Sequence, residues 1–271
     1  MEAMHQHPKV HIDHRLVWRT IDGMIPTITF ISDFGLKDAY VAQVKAVILT
    51  QAPEARIIDI THEVDAFGII SAGWLLASSF RFFSAGTIHL AVVDPGVGTG
   101  RGILYVKKDG HIFIGPDNGV FSFLFPAETI IQVTWRPQGA VSSTFHGRDI
   151  FALLVARILA GDDMHELGIP AVAPVSLEVK SPMVVHIDTF GNVITNILCE
   201  SAKPEISLEV NGQVITLCAK TFADIPSGSL GLICGSASTI EIAANRRNAA
   251  NIIGAKVGMP VRICSSYDLL Q

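Results

Sequence analysis

An acidic residue and a basic residue bracket a glycine-rich loop near the middle of the sequence. Asp94 ends the apolar run at 87–93, glycines follow at every second position from Gly96 to Gly102, and Arg101 lies near the end of the loop. A buried strand that runs into such a loop brings backbone and charge to its carboxyl end, where open α/β sheets bind ligands. A functional site and a plain turn in which Asp94 pairs with Arg101 are both compatible with this spacing.

Two common glycine-rich sites do not fit this loop. A Walker A motif needs a Lys-Ser/Thr pair after the glycines, and none follows here. A dinucleotide fingerprint needs a helix next, whereas residues 103–107 have the composition of a strand. The loop therefore requires another explanation.

The elements around the loop follow an alternating pattern. Strands are predicted at 28–32, 57–60 and 87–93, and helices at 40–50 and 69–83. Strand and helix alternate at the spacing of βαβ units, which predicts a mostly parallel sheet with helices on both faces. Two further strands are predicted at 103–107 and 111–114, and a short apolar helix at 150–159.

The second half of the chain has a different sequence pattern. Short strand-like runs separated by turns such as Asn211-Gly212 predict a smaller all-β domain. We expect an α/β domain at 25–175 and a β-rich domain at 180–268, with the best linker candidate at 167–179. Residues 1–24 are predicted to be a disordered leader, although their histidines leave a metal-binding tract conceivable.

Composition excludes several functional classes. The chain has 271 residues and a net charge of -5 without a basic patch, which argues against a nucleic-acid partner. No apolar run reaches the ~18 residues that a membrane span needs. The four cysteines include no CxxC pair, so reduced, buried thiols in a cytoplasmic protein are expected. The scattered histidines lack ligand spacing, so no metal is predicted.

Six short motifs in one order resemble a known family. They are Ser32-Asp-Phe-Gly, Asp94-Pro-Gly-Val-Gly-Thr, Pro116-Asp-Asn-Gly, Phe145-His-Gly-Arg-Asp, Phe190-Gly-Asn and Asn248-Ala-Ala. Together they resemble the S-adenosyl-L-methionine hydroxide adenosyltransferases, relatives of fluorinase and chlorinase, over nearly the whole chain. The resemblance implies hydrolysis of S-adenosylmethionine (SAM) to adenosine and L-methionine, with SAM as substrate and no cofactor.

The family's catalytic residues correspond to Asp94, Arg101 and His146 here. The resemblance implies that water or hydroxide attacks the ribose C5′ and that methionine leaves as a thioether. Because sulfonium is already a good leaving group, the difficulty lies in orienting and deprotonating the water. A carboxylate and an imidazole can do this, while a guanidinium favours hydroxide electrostatically. On its own, His146 could equally be a capping or core histidine.

The resemblance also implies substrate-binding positions in both domains. Asp33 would accept hydrogen bonds from the ribose hydroxyls, or else cap the following helix. Phe67 and Phe190 would contact the substrate, or else be core aromatics. The remaining positions are Asp188 and Asn192 for the methionine amine and the adenine edge, Ser236 for the methionine carboxylate, and Arg247 and Ala249 for adenine. Family sites lie between subunits of a trimer, so a homotrimer is expected.

Three other functions compete with hydrolysis. A halogenase-type adenosyltransferase would carry an aromatic residue at position 94 and a tyrosine at position 146, and an ionised Asp94 would repel halide. A non-catalytic SAM or adenosine sensor would have no need of a water-activating cluster. A structural α/β protein would match the motifs by chance.

Overall fold

The structure is a computed structural model that describes residues 25–201 and 206–264. The predicted leader at 1–24 and the last residues of the predicted second domain lie outside the described residues. The chain divides into two compact units, with the boundary between Ser176 and Leu177. No helix in the described ranges is long and apolar enough to cross a membrane.

In residues 25–176, the first unit contains one seven-stranded sheet and four α-helices. Its strands are β1 (Thr27–Ser32), β2 (Arg56–Thr61), β3 (Ile88–Val92), β4 (Ile103–Lys108), β5 (His111–Pro116), β6 (Thr129–Val133) and β7 (Gly168–Pro170). Its helices are α1 (Tyr40–Gln51), α2 (Ile69–Ser79), α3 (Ala152–Leu159) and α4 (Met164–Leu167), and a π-helical turn at Gly147–Phe151 leads into α3.

The strand order is β2-β1-β3-β5-β4-β6-β7. Along this order, the pairs β2-β1, β1-β3 and β3-β5 are parallel, and the pairs β5-β4, β4-β6 and β6-β7 are antiparallel. The predicted α/β fold is confirmed, and its sheet is mixed. The chain moves outward from β1 to β2 and then returns past β1 to β3. This reversal opens a crevice at the carboxyl ends of β1 and β3, the usual ligand position in such sheets.

Two hydrophobic cores cover the opposite faces of this sheet. Phe30 and Leu90 pack with residues of α1 and α3 on one face, whereas Ile31 and Ala91 pack with α2 on the other. The alternation follows from the two-residue period of a strand, and it explains the continuous apolar runs that identified β1 and β3. Burial of each large apolar side chain contributes roughly 1.5–3 kcal/mol to the free energy of folding. Packing on both faces of the sheet therefore fixes the positions of the strand ends.

The predicted linker is wrong in its first residues. Gly168–Pro170 form β7, an edge strand that pairs with β6. The side chain of Asp117 also accepts a 2.7 Å hydrogen bond from the backbone of Val175. The segment is therefore tied to the first unit almost as far as Ser176.

The second unit is built from antiparallel strands, as predicted. They are β8 (Val184–Ile187), β9 (Val193–Leu198), β10 (Ser207–Val210), β11 (Gln213–Ile215), β12 (Leu230–Cys234), β13 (Thr239–Ala244) and β14 (Arg262–Cys264). They form a sheet of order β12-β13-β9-β8 and another of order β11-β10-β14, with an apolar core that includes residues of both. One short helix, α5 (Ala249–Ile253), was not predicted.

The expectation of reduced, buried thiols is wrong for three of the four cysteines. Cys199, just after β9, and Cys234, at the end of β12, form a disulfide. Both strands flank β13, so their ends are close enough to be joined. Cys218 is a free and exposed thiol, and only Cys264 is both free and buried.

Candidate active site

The carboxyl edge of the first sheet collects the polar residues of the site. Asp33 follows β1 and Asp94 follows β3, and these two strands are parallel neighbours. Arg101 precedes β4, whose antiparallel direction brings its start to the same edge. The fold therefore positions all three at the crevice where the strand order reverses.

Asp94, Arg101 and His146 form one connected group. Arg101 Nε donates to both carboxylate oxygens of Asp94, at 2.9 and 3.0 Å, and Arg101 Nη2 forms a further ion pair with Asp94 Oδ2. Arg101 Nη2 also lies 3.1 Å from His146 Nδ1. The Asp94 and Arg101 side chains are only 5% and 9% exposed, so water screens their interaction weakly.

The contact with Arg101 assigns the proton on His146. A guanidinium has donors and no acceptor, so His146 Nδ1 accepts and the neutral ring carries its proton on Nε2. Burial lowers the pKa of His146 and Arg101 lowers it further, whereas Asp94 opposes the shift. The imidazole is therefore neutral at pH 7, with an Nε2–H donor. No side-chain cap is seen at this helix start, so His146 is not a capping residue.

Close backbone contact explains part of the glycine pattern. Gly98 has a φ of +78°, and a β-carbon there would lie 2.2 Å from the carbonyl oxygen of Ser143. The loop can therefore lie against the segment before His146 only if residue 98 is glycine. The Phe151 ring packs against the Arg101 guanidinium, with 5.1 Å between the ring centroid and the guanidinium carbon.

Asp33 and Phe67 are also brought together. Asp33 Oδ2 accepts a 2.9 Å hydrogen bond from the Phe67 backbone nitrogen. Helix α1 begins only at Tyr40 and has no side-chain cap, so Asp33 is not its N-cap. Phe67 has a φ of +67° and is 68% exposed, which excludes a core role for this aromatic ring. Backbone strain of this kind in a non-glycine residue is concentrated at functional sites.

A buried polar chain supports the turn that carries Asp33. His62 Nδ1 lies 2.7 Å from Ser32 Oγ, His62 Nε2 lies 3.1 Å from Asp59, and the His62 carbonyl accepts a 2.7 Å hydrogen bond from Gly35. His62 thus holds both sides of Asp33 without touching it. Ser32 is fully buried, so its hydroxyl serves this support and is not an accessible nucleophile.

Replacing His62 with Phe is expected to weaken substrate binding more than catalysis. The apolar ring removes the imidazole partner of the Ser32 hydroxyl and leaves it only the 3.4 Å hydrogen bond that its oxygen accepts from the Phe34 backbone nitrogen. The loss costs about 1–3 kcal/mol of stability and frees the turn of Asp33. KM for SAM should rise several-fold with little change in kcat. A substrate lacking both ribose hydroxyls provides the control, and an equal rise in its KM would contradict a role through Asp33.

In the second unit, Asp188, Phe190 and Asn192 share one turn between β8 and β9. Asp188 accepts hydrogen bonds from the backbone of Phe190 at 2.9 Å and of Asn192 at 2.8 Å, and from Asn192 Nδ2 at 2.8 Å. Phe190 is 79% exposed, so it is not a core aromatic. Asn192 is buried and braces the turn.

The other predicted binding positions lie on nearby segments of this unit. Ser236 is exposed in the turn between β12 and β13. Arg247 is exposed, whereas Ala249 is fully buried in the first turn of α5. Asn248 caps α5 by accepting from the Asn251 backbone at 2.7 Å, and its side chain lies against Gly191. The start of α5 is therefore adjacent to the turn that carries Phe190.

Two supporting residues were not identified from the sequence. Asn118 Nδ2 donates a 2.8 Å hydrogen bond to the carbonyl of Val93 and so fixes the backbone beside Asp94. Its motif, Pro116-Asp-Asn-Gly, is one of the six that carry the family resemblance, but the sequence assigns no role to Asn118 itself. The sequence indicates only that His62 lacks the spacing of a metal ligand. Its supporting role is not predictable, because nothing in the spacing of Ser32 and His62 reveals that their strands are neighbours.

Comparisons with known proteins agree on one family. The N-terminal domain model of the SAM hydroxide adenosyltransferases matches residues 28–168, and the C-terminal domain model matches residues 182–262. The (R)-S-adenosyl-L-methionine hydrolase of Thermus thermophilus is 35% identical over 257 residues, covering 87% of this chain and 98% of the relative. A fluorinase of Nocardia brasiliensis is 26% identical over 297 residues, covering 90% and 98% respectively.

A solved structure has the same fold. The crystal structure of an uncharacterized conserved protein from Thermotoga maritima is 34% identical and superposes with a TM-score of 0.80, covering 88% of this chain and all of that one. Both domain models match in chain order and together span most of the sequence. The chain therefore belongs to the SAM hydroxide adenosyltransferase family.

Proposed function

We propose that the protein hydrolyses SAM to adenosine and L-methionine. The observation that carries the proposal is the connected group of Asp94, Arg101 and His146 at the strand-reversal crevice. It combines a carboxylate acceptor, a fixed positive charge and a neutral N–H donor. Groups of these three kinds are needed to orient a water molecule and remove its proton.

His146 and Asp94 have distinct roles in the proposed reaction. Because His146 Nδ1 is occupied by Arg101, His146 orients the attacking water through its Nε2–H donor. Asp94 takes the water proton, since each carboxylate oxygen keeps lone pairs beyond those used by Arg101. The water oxygen bonds to C5′ as the C5′–S bond breaks, and the bonding pair leaves with sulfur as the neutral thioether of methionine.

The same geometry argues against the halogenase alternative. A halide would have to lie beside the Asp94 carboxylate, and like charges repel strongly next to a side chain that is only 5% exposed. A sensor without turnover is also disfavoured. Such a protein gains nothing from a carboxylate and a charge held in hydrogen-bonding geometry at the crevice.

The wider proposal concerns binding, assembly and location. Asp33 and Phe67 bind the ribose region, while Asp188, Phe190, Asn192, Ser236, Arg247 and Ala249 bind adenine and methionine. No cofactor is required, because sulfonium leaves without one. A homotrimer with sites at subunit interfaces is proposed from the family resemblance, and predicted binding positions in both units are consistent with that arrangement. A cytoplasmic location is also proposed, although the Cys199–Cys234 disulfide is unusual there.

Product analysis tests the reaction directly. The purified protein is incubated with SAM, with and without chloride, and the products are separated by chromatography. Adenosine and methionine in equal amounts, unaffected by chloride, are expected. A 5′-halogenated adenosine would assign the protein to the halogenases, and intact SAM despite measurable binding would identify a sensor.

A further inference from the structure

The loop that carries Asp94 and Arg101 has an exposed middle. Four of the six residues at 95–100 are exposed, and two backbone hydrogen bonds of 3.1 Å within the loop close local turns. Such turns shape a loop without fixing it to the sheet. Apart from the contact of Gly98 described above, the two ends of the loop therefore decide where its carboxylate and its guanidinium lie.

The first end of the loop lies beyond the strand pairing on its β5 side. The last pair between β3 and β5 is Leu90 with Ile114, and Val93 lies three residues farther along the chain. Asn118, in the turn after β5, supplies a substitute. Its Nδ2 donates a 2.8 Å hydrogen bond to the Val93 carbonyl, and its Oδ1 accepts one of 3.2 Å from the Val120 backbone nitrogen. The amide is thus held on one side and holds the start of the loop on the other.

The residue beside Asn118 fixes the second end of the loop. The Asp117 backbone nitrogen donates a 3.0 Å hydrogen bond to the carbonyl of Gly102, which also accepts one of 3.3 Å from Arg101 Nη1. A β-carbon at Gly102 would lie 3.1 Å from the β-carbon of Asp117, so the two backbones approach closely. The Asp117 carboxylate is itself held by the Val175 backbone. One turn therefore fixes both ends of the loop.

Of the two contacts, only that of Asn118 depends on a side chain. Asn is a short side chain with both a donor and an acceptor, and position 118 uses both. A displacement of about 1 Å in a reacting group can lower a rate by about a hundredfold. The position of Val93, directly before the carboxylate that takes the water proton, therefore bears on catalysis.

We propose that Asn118 is a positioning residue for the reaction. Its amide, together with the Asp117 backbone, holds the loop so that Asp94 meets the attacking water in productive geometry. This inference rests on the proposed function and adds a residue that acts through Asp94.

Two variants of Asn118 test the role of its amide donor. Asn118→Ala removes the donor and the acceptor, whereas Asn118→Asp keeps the shape and the acceptor. In both, kcat for SAM should fall about tenfold to a hundredfold, with KM and the calorimetric Kd for SAM little changed. Thermal melting shows that each variant is folded at the assay temperature. A loss in Asn118→Asp alone would assign the effect to the added charge and overturn the positioning role.

Asn211 provides the matched control. Its Nδ2 donates a hydrogen bond of the same 2.8 Å length to the carbonyl of Ile253 in the second unit. Its φ of +51° is also tolerated by Asp. Asn211→Asp should therefore keep the wild-type kcat.

A double variant separates positioning from general support of the fold. In an Asp94→Asn background, Asn118→Ala should lower kcat little further, because its effect passes through the carboxylate that is already lost. An equal fractional loss of kcat with and without Asp94 would indicate a merely structural role and overturn the assignment. Wild-type turnover in Asn118→Ala would overturn it as well.

Hydrogen exchange measures the position of the loop without any turnover. The backbone amides at 95–101 should exchange faster in Asn118→Ala than in the wild type, and unchanged exchange would contradict the inference. A failure of the proposed function looks different, because it appears as a wild-type protein that leaves SAM intact. In that case the exchange experiment still decides whether Asn118 fixes the loop.

Discussion

Replacing Asp94 with Asn is expected to lower kcat for SAM hydrolysis by a factor of about 10² to 10⁴, the usual contribution of a positioned general base. The amide keeps the size of the side chain, but it cannot take the water proton. It also leaves the Arg101 guanidinium, only 9% exposed, without its counter-charge. KM should change much less than kcat, because the lost interaction acts mainly in the transition state.

The control for Asp94→Asn is the same substitution at a carboxylate that lies elsewhere in the first unit. Asp109 is exposed, pairs with Arg81 at 2.8 Å and has a φ of +50°, a conformation that Asn also tolerates. Asp109→Asn should therefore retain wild-type activity. Turnover of Asp94→Asn within tenfold of wild type would show that another group accepts the proton, with His146 as the remaining candidate in the connected group.

A second large effect is expected from a buried histidine in the core of the first sheet. His89 is fully buried in β3, with Nδ1 at 2.7 Å from Thr29 Oγ1 and Nε2 at 3.1 Å from His111 Nδ1. Burial lowers the pKa of His89 to about 3, and the adjacent His111 contributes to the shift. Beyond His111 lie Asp109 and Arg81, whose opposite charges act on His111 in opposite directions.

This shift predicts loss of stability in acid. The unfolded chain binds a proton at residue 89 near pH 6.5, whereas the folded protein binds it only near pH 3, so the free energy of unfolding falls as the pH drops between these values. The loss from His89 alone is about 2 kcal/mol at pH 5 and about 4 kcal/mol at pH 3. Above pH 7 this residue adds no pH dependence.

Urea unfolding between pH 5 and 8 measures this effect, with tryptophan fluorescence as the signal. His89→Asn keeps a polar partner for Thr29 and cannot titrate, so its stability should vary less with pH than that of wild type. The exposed His165→Asn should follow the wild-type curve. An unchanged slope in His89→Asn would assign the acid sensitivity to other groups.

The sequence predicted the elements whose patterns are long and regular. Strands β1 and β3 and helices α1 and α2 lie within a few residues of their predicted bounds, because buried strands and helices repeat apolar residues at different periods. Two of the missed elements lack such a signal. Strand β7 has three residues and ends in Pro170, and helix α5 has five, which is too short to show a helical period.

Some features of the candidate site were predictable from the sequence and others were not. The types and order of Asp94, Arg101 and His146 were readable from motifs, and the structure brings these residues into contact. Their proton arrangement was not, because it depends on which imidazole nitrogen meets Arg101. The disulfide was missed because the spacing of four cysteines does not determine their pairing.

The cysteine arrangement also provides a spectroscopic handle. All four cysteines lie within the described residues, two are joined and Cys264 is buried, so a thiol-reactive fluorophore should label Cys218 selectively. Cys218 belongs to the second unit, whereas all three tryptophans precede residue 136. Energy transfer from tryptophan to the label therefore reports any change in the separation of the two units when SAM is added, without a substitution anywhere in the chain.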